Sequence, residues 1–416
     1  MESRRRPRVL RHHDHPPPSR DDRGHLHRGC RRATCVRVRR CDNRRRFRCA
    51  DLRQDRRRAR DRVRPQPGPR RGLCGVDDRN PAGTGFRHRF PRRHRPLHLA
   101  SDPMILGFDV GGTNARALLI EPETGDIIDR DRESSAGTGP VLLETLVRMI
   151  DRMTRNHDGE LEGVGLGVAG LAHRSGVIHY SPNLPDLVEY PLGTELAGRT
   201  GLDVTVMNDA TAATWAEGKL GAGRGSDDYM LITLGTGIGS GFVCGGRLIH
   251  GHNGFAGESG HMVVDANGPT HHTGQRGPWE YYASGTALGQ IGRSQAQIGL
   301  FPSALSLAGS VAAITGFTVA EALNRGDKEA ERIFDGFCRQ VAVGLANLVM
   351  IFDPERIILG GGLTDIGEPL RAGTKYWLDE LTLGARYRPE VEIVMAQLGD
   401  DAGALGAALW NREAAD

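Results

Sequence analysis

Lysine is absent from the first 103 residues of this 416-residue chain, and that absence divides it in two. The segment holds 32 Arg against 11 Asp and Glu, a net charge of +21, whereas residues 104–416 carry −17. The overall +4 therefore describes neither part. Apolar periodicity is missing there as well: runs such as Arg4-Arg5-Arg6-Pro7 and Arg56-Arg57-Arg58-Ala59-Arg60 fit neither a helical nor an alternating template. Three readings of residues 1–103 stay open. Arg without Lys, mixed with Pro, His and Gly, is what out-of-frame translation of GC-rich DNA yields, which makes the segment an extension upstream of a start at Met104. A genuine tail of this composition cannot bury enough apolar area to offset its chain entropy and is expected to be disordered. An Arg-rich arm can also bind nucleic acid through phosphates. Against that last reading, Pro and Asp interrupt the runs, aromatics are nearly absent and no helix-turn-helix pattern occurs.

Cysteine is scarce outside that segment. Cys30, Cys35, Cys41, Cys49 and Cys74 lie within it and lack the paired C-x-x-C spacing of zinc modules, leaving Cys244 and Cys338 for the rest. Two isolated cysteines exclude a disulfide framework and fit a reduced, cytoplasmic enzyme. No run approaches 18 consecutive apolar residues, so no membrane partner is expected. No apolar core follows the basic start, which argues against a secretory signal.

What is present from residue 104 onward is the alternation of a mixed α/β protein. Residues 104–110 form a buried strand, residues 115–120 resume it, and Gly111 and Gly112 turn the chain between them. Helical spacing spans 141–153, and residues 163–169 are a strand interleaved with glycine. A short strand at 204–207 runs into Asn208-Asp209, a polar pair suited to cap a helix over 211–220. Residues 229–241 repeat the strand, glycine turn and strand. The longest helical pattern covers 330–352, closed by Asp353-Pro354. Strands at 356–359 and 391–395 follow, then a small-residue helix at 402–408. Two strand-turn units of one kind imply two lobes with a cleft between them: 104–212 small, 213–416 large. The last helix is a candidate to return to the small lobe.

Chemistry concentrates at the turns. Gly111-Gly112-Thr113, Gly235-Thr236-Gly237 and Gly360-Gly361-Gly362 each follow a strand, where consecutive N–H groups without neighbouring Cβ atoms receive phosphate oxygens. None fits the P-loop pattern, and the dinucleotide pattern fits only loosely. Asp109, beside the first turn, is suited to hold Mg2+ through water; the alternative reading is a satisfied turn residue. Downstream, residues 254–280 bring Glu258, His261 and Glu280 close together in sequence, a mixed donor and acceptor set of the kind vicinal sugar hydroxyls need.

Five motifs in this order and rough spacing resemble the ROK family of sugar kinases and repressors: Asp109-Val110-Gly111-Gly112-Thr113, Asn208-Asp209, Leu234-Gly235-Thr236-Gly237-Ile238-Gly239-Ser240-Gly241, Gly257-Glu258-Ser259-Gly260-His261 and Leu359-Gly360-Gly361-Gly362. The resemblance covers residues 104–416. It implies the actin-like ATPase fold of hexokinases, with ATP on Asp109, Gly111, Gly112, Thr113, Asn114, Gly235, Thr236, Gly237, Gly361 and Gly362. Sugar is implied on Asn183, Asn208, Asp209, Glu258, His261 and Glu280, with Asp209 as catalytic base and a homodimer as the assembly. A sugar hydroxyl is a poor nucleophile near neutral pH, so a carboxylate base in that place makes chemical sense. Taken alone, Asp209 is also an ordinary helix cap, and Asn183 an ordinary turn residue.

One departure from the family stands out. Many members bind structural zinc with the motif histidine and three cysteines; aligned on Gly274 and Gly277, this chain has His271, Thr273 and Pro278 at the cysteine places. Thr and Pro do not replace thiolates, so zinc is expected to be absent and aromatic packing by Trp279, Tyr281 and Tyr282 to hold the loop. His261, His271 and His272 remain candidates for a weak metal site. The run from Gly274 to Leu288 is similar to that of the family's glucose-phosphorylating members, which implies glucose phosphorylated at its 6-hydroxyl. N-acetylated hexosamines, mannose and fructose stay open as substrates. A sugar-responsive repressor and a sugar-binding protein with decayed activity stay open as functions, although residues 1–103 lack the periodic helices of a winged-helix domain.

Overall fold

The computed structural model describes residues 103–415. The readings made of the Arg-rich segment and its five cysteines fall, Pro103 aside, outside the described residues. The first half contains β1 (Pro103–Val110), β2 (Asn114–Ile120), β3 (Ile127–Ser134), α1 (Gly139–Arg155) and β4 (Glu160–Val168). A small hairpin follows, β5 (Leu171–Ala172) with β6 (Ile178–Tyr180), then α2 (Leu192–Thr200), β7 (Asp203–Asn208) and α3 (Asp209–Leu220). The second half contains β8 (Tyr229–Leu234), β9 (Ile238–Cys244) and β10 (Arg247–Leu248), then α4 (Glu280–Ala283), α5 (Gly285–Gln297), α6 (Pro302–Ala308), α7 (Gly316–Asn324) and α8 (Lys328–Phe352). It closes with β11 (Arg356–Gly360), α9 (Glu368–Leu381), β12 (Glu392–Met395) and α10 (Ala402–Ala415).

Both halves build one topology. The first sheet has the order β3-β2-β1-β4-β7 and the second β10-β9-β8-β11-β12. In each, the opening strand pairs antiparallel with its neighbour across a glycine turn, and two parallel strands extend the other side. The parallel strands are nearly continuous apolar runs because both of their faces are covered. Leu106, Phe108, Val164 and Leu166 are buried in one sheet, and Leu231, Ile232, Ile357 and Ile358 in the other.

Each sheet ends in a helix that crosses to its counterpart: α3 leaves β7 and packs on β8 and β9, while α10 leaves β12 and packs on β1 and β4. The two helices also pack on each other. Glycine makes this seating possible. A Cβ at Gly107 would overlap the Ala404 carbonyl oxygen, and one at Gly165 the Ala407 carbonyl oxygen. The glycine-interleaved strand and the alanine-rich helix are thus two sides of one close approach.

By length and composition α8 is apolar enough to cross a membrane, but here it is a core helix. Ile333, Phe337, Val341, Leu345 and Leu348 are buried along it. Its first turn is capped by the Asp327 carboxylate, which accepts the N–H groups of Glu329 and Ala330 at 2.9 Å. It stops at Asp353, whose φ of 47° is left-handed, with Pro354 next.

Candidate active site

The carboxyl ends of the parallel strands put two carboxylates side by side. Asp109 on β1 pairs in register with Gly167 on β4, whose other neighbour is Met207 on β7, two residues before Asp209. Without a side chain at Gly167, the Asp209 backbone approaches the strand: a Cβ there would lie 3.5 Å from the Asp209 Cα. Asn208 caps α3 by accepting the Thr211 N–H at 3.0 Å, and its amide donates to the Gly170 carbonyl at 3.3 Å. The cap is therefore Asn208 alone, with Asp209 the first helical residue and its Oδ1 on the Ala210 N–H at 2.8 Å.

Burial shapes the electrostatics of both groups. The Asp109 carboxyl is pushed up to about 7, first by burial, then by the charge of Asp209, with Arg116 opposing. Burial also holds Asp209 above its ordinary range, against the lowering effect of the Ala210 N–H and the Asn208 amide. Glu258 is raised as well, by burial and by the charges of Asp209 and Glu280, with His261 opposing. Asp209, Glu258, His261 and Glu280 thus share one electrostatic neighbourhood, although Glu258 and Asp209 come from different halves of the chain.

The Glu258 loop is pinned from below by Ser240, a motif residue for which sequence reasoning offers no role. Its hydroxyl donates to the Gly257 carbonyl and lies 2.6 Å from the Ser259 hydroxyl. Gly257 has φ of 107°, and a Cβ would press on the Ser240 carbonyl, so the turn requires glycine. A hydroxyl inside the otherwise apolar β9 was the available signal for this role.

Glu280 opens α4 and reaches two places at once. Its Oε2 accepts the Ile238 N–H at 2.7 Å, directly after the second glycine turn, and its Oε1 lies 3.4 Å from His271 Nε2. A Cβ at Gly237 would collide with this carboxylate. The 270s loop is a hydrogen-bonded hairpin in which Gln275 donates its amide to the His261 carbonyl at 2.5 Å and His271 Nδ1 meets the Thr273 hydroxyl at 3.0 Å. Trp279 is fully buried and donates Nε1–H to the Gln340 carbonyl at 2.9 Å, its ring filling the space a side chain at Gly344 would need. Tyr282 bonds Asp265 at 3.1 Å, and Tyr281 is only half-buried. Polar contacts share with aromatic packing the work of holding this loop.

The glycine turns fall into two groups. At the first, the Gly111 N–H donates to the Asn114 carbonyl at 3.0 Å, and the backbone of Asn183 lies against Gly112 so closely that a Cβ would strike it. Asn183 itself is exposed. At the second, Gly235, Thr236 and Gly362 line a pocket of about 440 Å³ with Thr286, Arg293, Gly316 and Phe317. Gly237 and Gly361 are beside that pocket without lining it, and Gly111, Gly112, Thr113, Asn114 and Asp109 stand on the other sheet. The Gly285 N–H donates to the Gly235 carbonyl at 2.7 Å, tying α5 to the turn. Sequence reasoning missed Thr286, Arg293 and Phe317; the Ser284 cap followed by Gly285, Gly289 and Gly292 was the signal that α5 approaches another backbone closely.

Metal donors are few. Among the described residues, no three His, Cys, Asp or Glu side chains converge as a metal site. The His261 and His271 rings are 6.3 Å apart and those of His271 and His272 3.9 Å, and Pro278 is buried opposite Val263.

Comparison with known proteins adds the rest. The model of the ROK family matches residues 105–414. The chain is 35% identical over 318 residues to the glucokinase of Streptomyces coelicolor, covering 74% of this chain and 98% of that one. It is 28% identical over 309 residues to the N-acetylmannosamine kinase of Haemophilus influenzae, covering 74% and 95%. Its fold matches the crystal structure of a ROK family glucokinase from Streptomyces griseus, in complex with glucose and AMPPNP, with a TM-score of 0.67 and 35% identity over 74% of this chain and 99% of that one.

Proposed function

The chain belongs to the ROK family and is a sugar kinase of the actin-like ATPase fold; from that premise we propose that it transfers the γ-phosphoryl group of ATP to the 6-hydroxyl of glucose. The observation that carries the mechanism is the buried carboxylate of Asp209 at the start of α3, beside Glu258 and Asp109. Burial raises its proton affinity, which suits a base that must accept a hydroxyl proton near neutral pH. As the bond from the 6-oxygen to phosphorus forms and the bond to ADP breaks, the hydroxyl proton passes to the Asp209 carboxylate. Asn183, Glu258, His261 and Glu280 hold the remaining hydroxyls. Asn208 joins them as a sugar contact and also orients Asp209 through the cap it makes with Thr211 and its bond to Gly170.

Nucleotide binds in the pocket of Gly235, Thr236, Gly362 and Phe317, with the phosphates directed to the N–H groups of the two glycine turns. Asp109, at the end of β1 beside the first glycine turn and near the charge of Asp209, fits Mg2+ held through water. That ion, when bound, neutralises phosphate charge. Zinc does not fit: Thr273 is hydrogen-bonded to His271, and Thr and Pro supply no ligands. Glucose is favoured over an N-acetylated hexosamine because the glucokinase relatives reach 35% identity against 28%. A homodimer in the cytoplasm, and two lobes that close on the sugar, complete the reading.

A coupled kinase assay of the full chain over glucose, mannose, fructose and N-acetylmannosamine tests it, with Asp209→Asn alongside. The expected result is preference for glucose and a fall in kcat of at least ~100-fold in the variant. Full activity in Asp209→Asn, or phosphorylation of none of the four sugars, defeats the proposal.

A further inference from the structure

The hairpin before α4 ends on one side chain aimed at the active site. Backbone pairing of Val263 with Pro278 and of Thr270 with Arg276 closes it, and the His271 N–H donates to the Gln275 carbonyl at 2.7 Å. Arg276 adds a bond to the Gly268 carbonyl at 2.8 Å. These contacts fix where His271 sits, and the Thr273 hydroxyl at 3.0 Å from Nδ1 fixes how its ring is turned. The remaining ring nitrogen, Nε2, lies 3.4 Å from Glu280 Oε1, with the two side chains only 10% and 15% exposed.

We propose that His271 is a positioning residue that holds the Glu280 carboxylate between the sugar site and the second glycine turn. Glu280 divides its oxygens, Oε2 to the Ile238 N–H at 2.7 Å and Oε1 toward His271, so the ring completes the set that fixes its rotation. With Oε2 committed to the backbone, only a partner on Oε1 keeps the carboxylate plane from swinging out of line. Burial and the neighbouring His272 lower the proton affinity of the ring while Glu280 raises it; in the neutral ring, with Nδ1 accepting the Thr273 hydroxyl, the single N–H sits on Nε2. The sugar-facing hairpin and the phosphate turn are thereby joined through one carboxylate. His261 faces the same space, its ring centroid 6.3 Å away, and its backbone carbonyl is held by Gln275, so the hairpin supports both residues of the pair.

The role of Glu280 as a sugar contact rests on the function proposed above, and the test separates the two. Full-length His271→Ala and His271→Gln are compared with wild type for KM of glucose, kcat, thermal midpoint and amide exchange at Ile238. Gln carries a neutral N–H donor that can reach the same oxygen. The expected result is a roughly tenfold rise in KM for glucose in His271→Ala with kcat changed less than about threefold, and recovery of most of the loss in His271→Gln. The Ile238 amide is expected to exchange faster in His271→Ala and at the wild-type rate in His271→Gln. Unchanged KM and unchanged exchange in His271→Ala overturn the proposal, as does a Gln variant no better than Ala. If no hexose is phosphorylated by the wild type, the function fails and the Ile238 exchange rates alone decide the role of His271.

Discussion

Asp109 is costly where it stands. Its pKa in the fold is about 7 against 3.8 for the free side chain. Below pH 3.8 the carboxyl is protonated in both states and carries no penalty; between 3.8 and 7 only the unfolded chain ionises fully, and above 7 the folded chain must bury the charge. The penalty is on the order of 4 kcal/mol when complete. Asp109→Asn removes it, so the variant is expected to melt a few degrees above wild type at pH 8, with the gap shrinking toward pH 5, while losing kinase activity. Equal melting temperatures across that range would show that the charge is compensated elsewhere. Asp209 gives a second pH signature. Protonation of the proposed base as pH falls should produce an acid limb in kcat/KM well above the ~3.9 of an unperturbed Asp. Because Asp109 feels the charge of Asp209, that limb belongs to the pair.

At the scale of elements, close approach decides where glycine is tolerated. Gly165→Ala forces a Cβ into the Ala407 carbonyl of α10, an overlap with backbone that only a shift of the strand or the helix relieves. A loss of about 1–3 kcal/mol in urea unfolding is expected. Gly198→Ala on the exposed side of α2 meets nothing within 4 Å and should stabilise by roughly 0.5–1 kcal/mol through helix propensity. Equal effects at the two sites would remove the argument from α10 packing. The same contrast explains what was legible in the sequence. Strands β1, β8 and β11 with their glycine turns, and the long α8, declare themselves by buried runs and helical spacing. The edge strand β3 was missed because Arg130, Arg132 and their neighbours leave it no buried apolar face. The short helices α6 and α7 were missed because seven and nine residues carry too little periodicity. Phe317 follows from that gap: a residue on an unrecognised helix was not available as a pocket wall. The cysteine-free hairpin shows the opposite limit, since the missing ligands were plain in the sequence while the contact between His271 and Glu280 depends on a backbone pairing that no local pattern encodes.

At the scale of the whole molecule, the two sheets share a joint made of the helices that each sends to the other. Trp215 on α3 and Trp410 on α10 meet edge to face there, with ring centroids 5.5 Å apart, and the His250 ring packs against Trp410 with centroids 4.5 Å apart. Rotation of one half against the other on sugar binding is expected to disturb this contact, because α3 begins at Asp209 and α10 seats on β1 behind Asp109. Glucose is therefore expected to change tryptophan emission in a saturable way, and Trp410→Phe to remove most of the change. Trp279 provides the internal contrast, being fully buried against α8 within the second half and held by Gln340, so rigid rotation leaves its surroundings intact. A glucose response that survives in Trp410→Phe and disappears in Trp279→Phe would mean that the sugar reorders the hairpin before α4 and leaves the joint still. Loss of the response in Trp410→Phe, with Trp279→Phe unaffected, would identify α3 and α10 as the axis on which the two halves close.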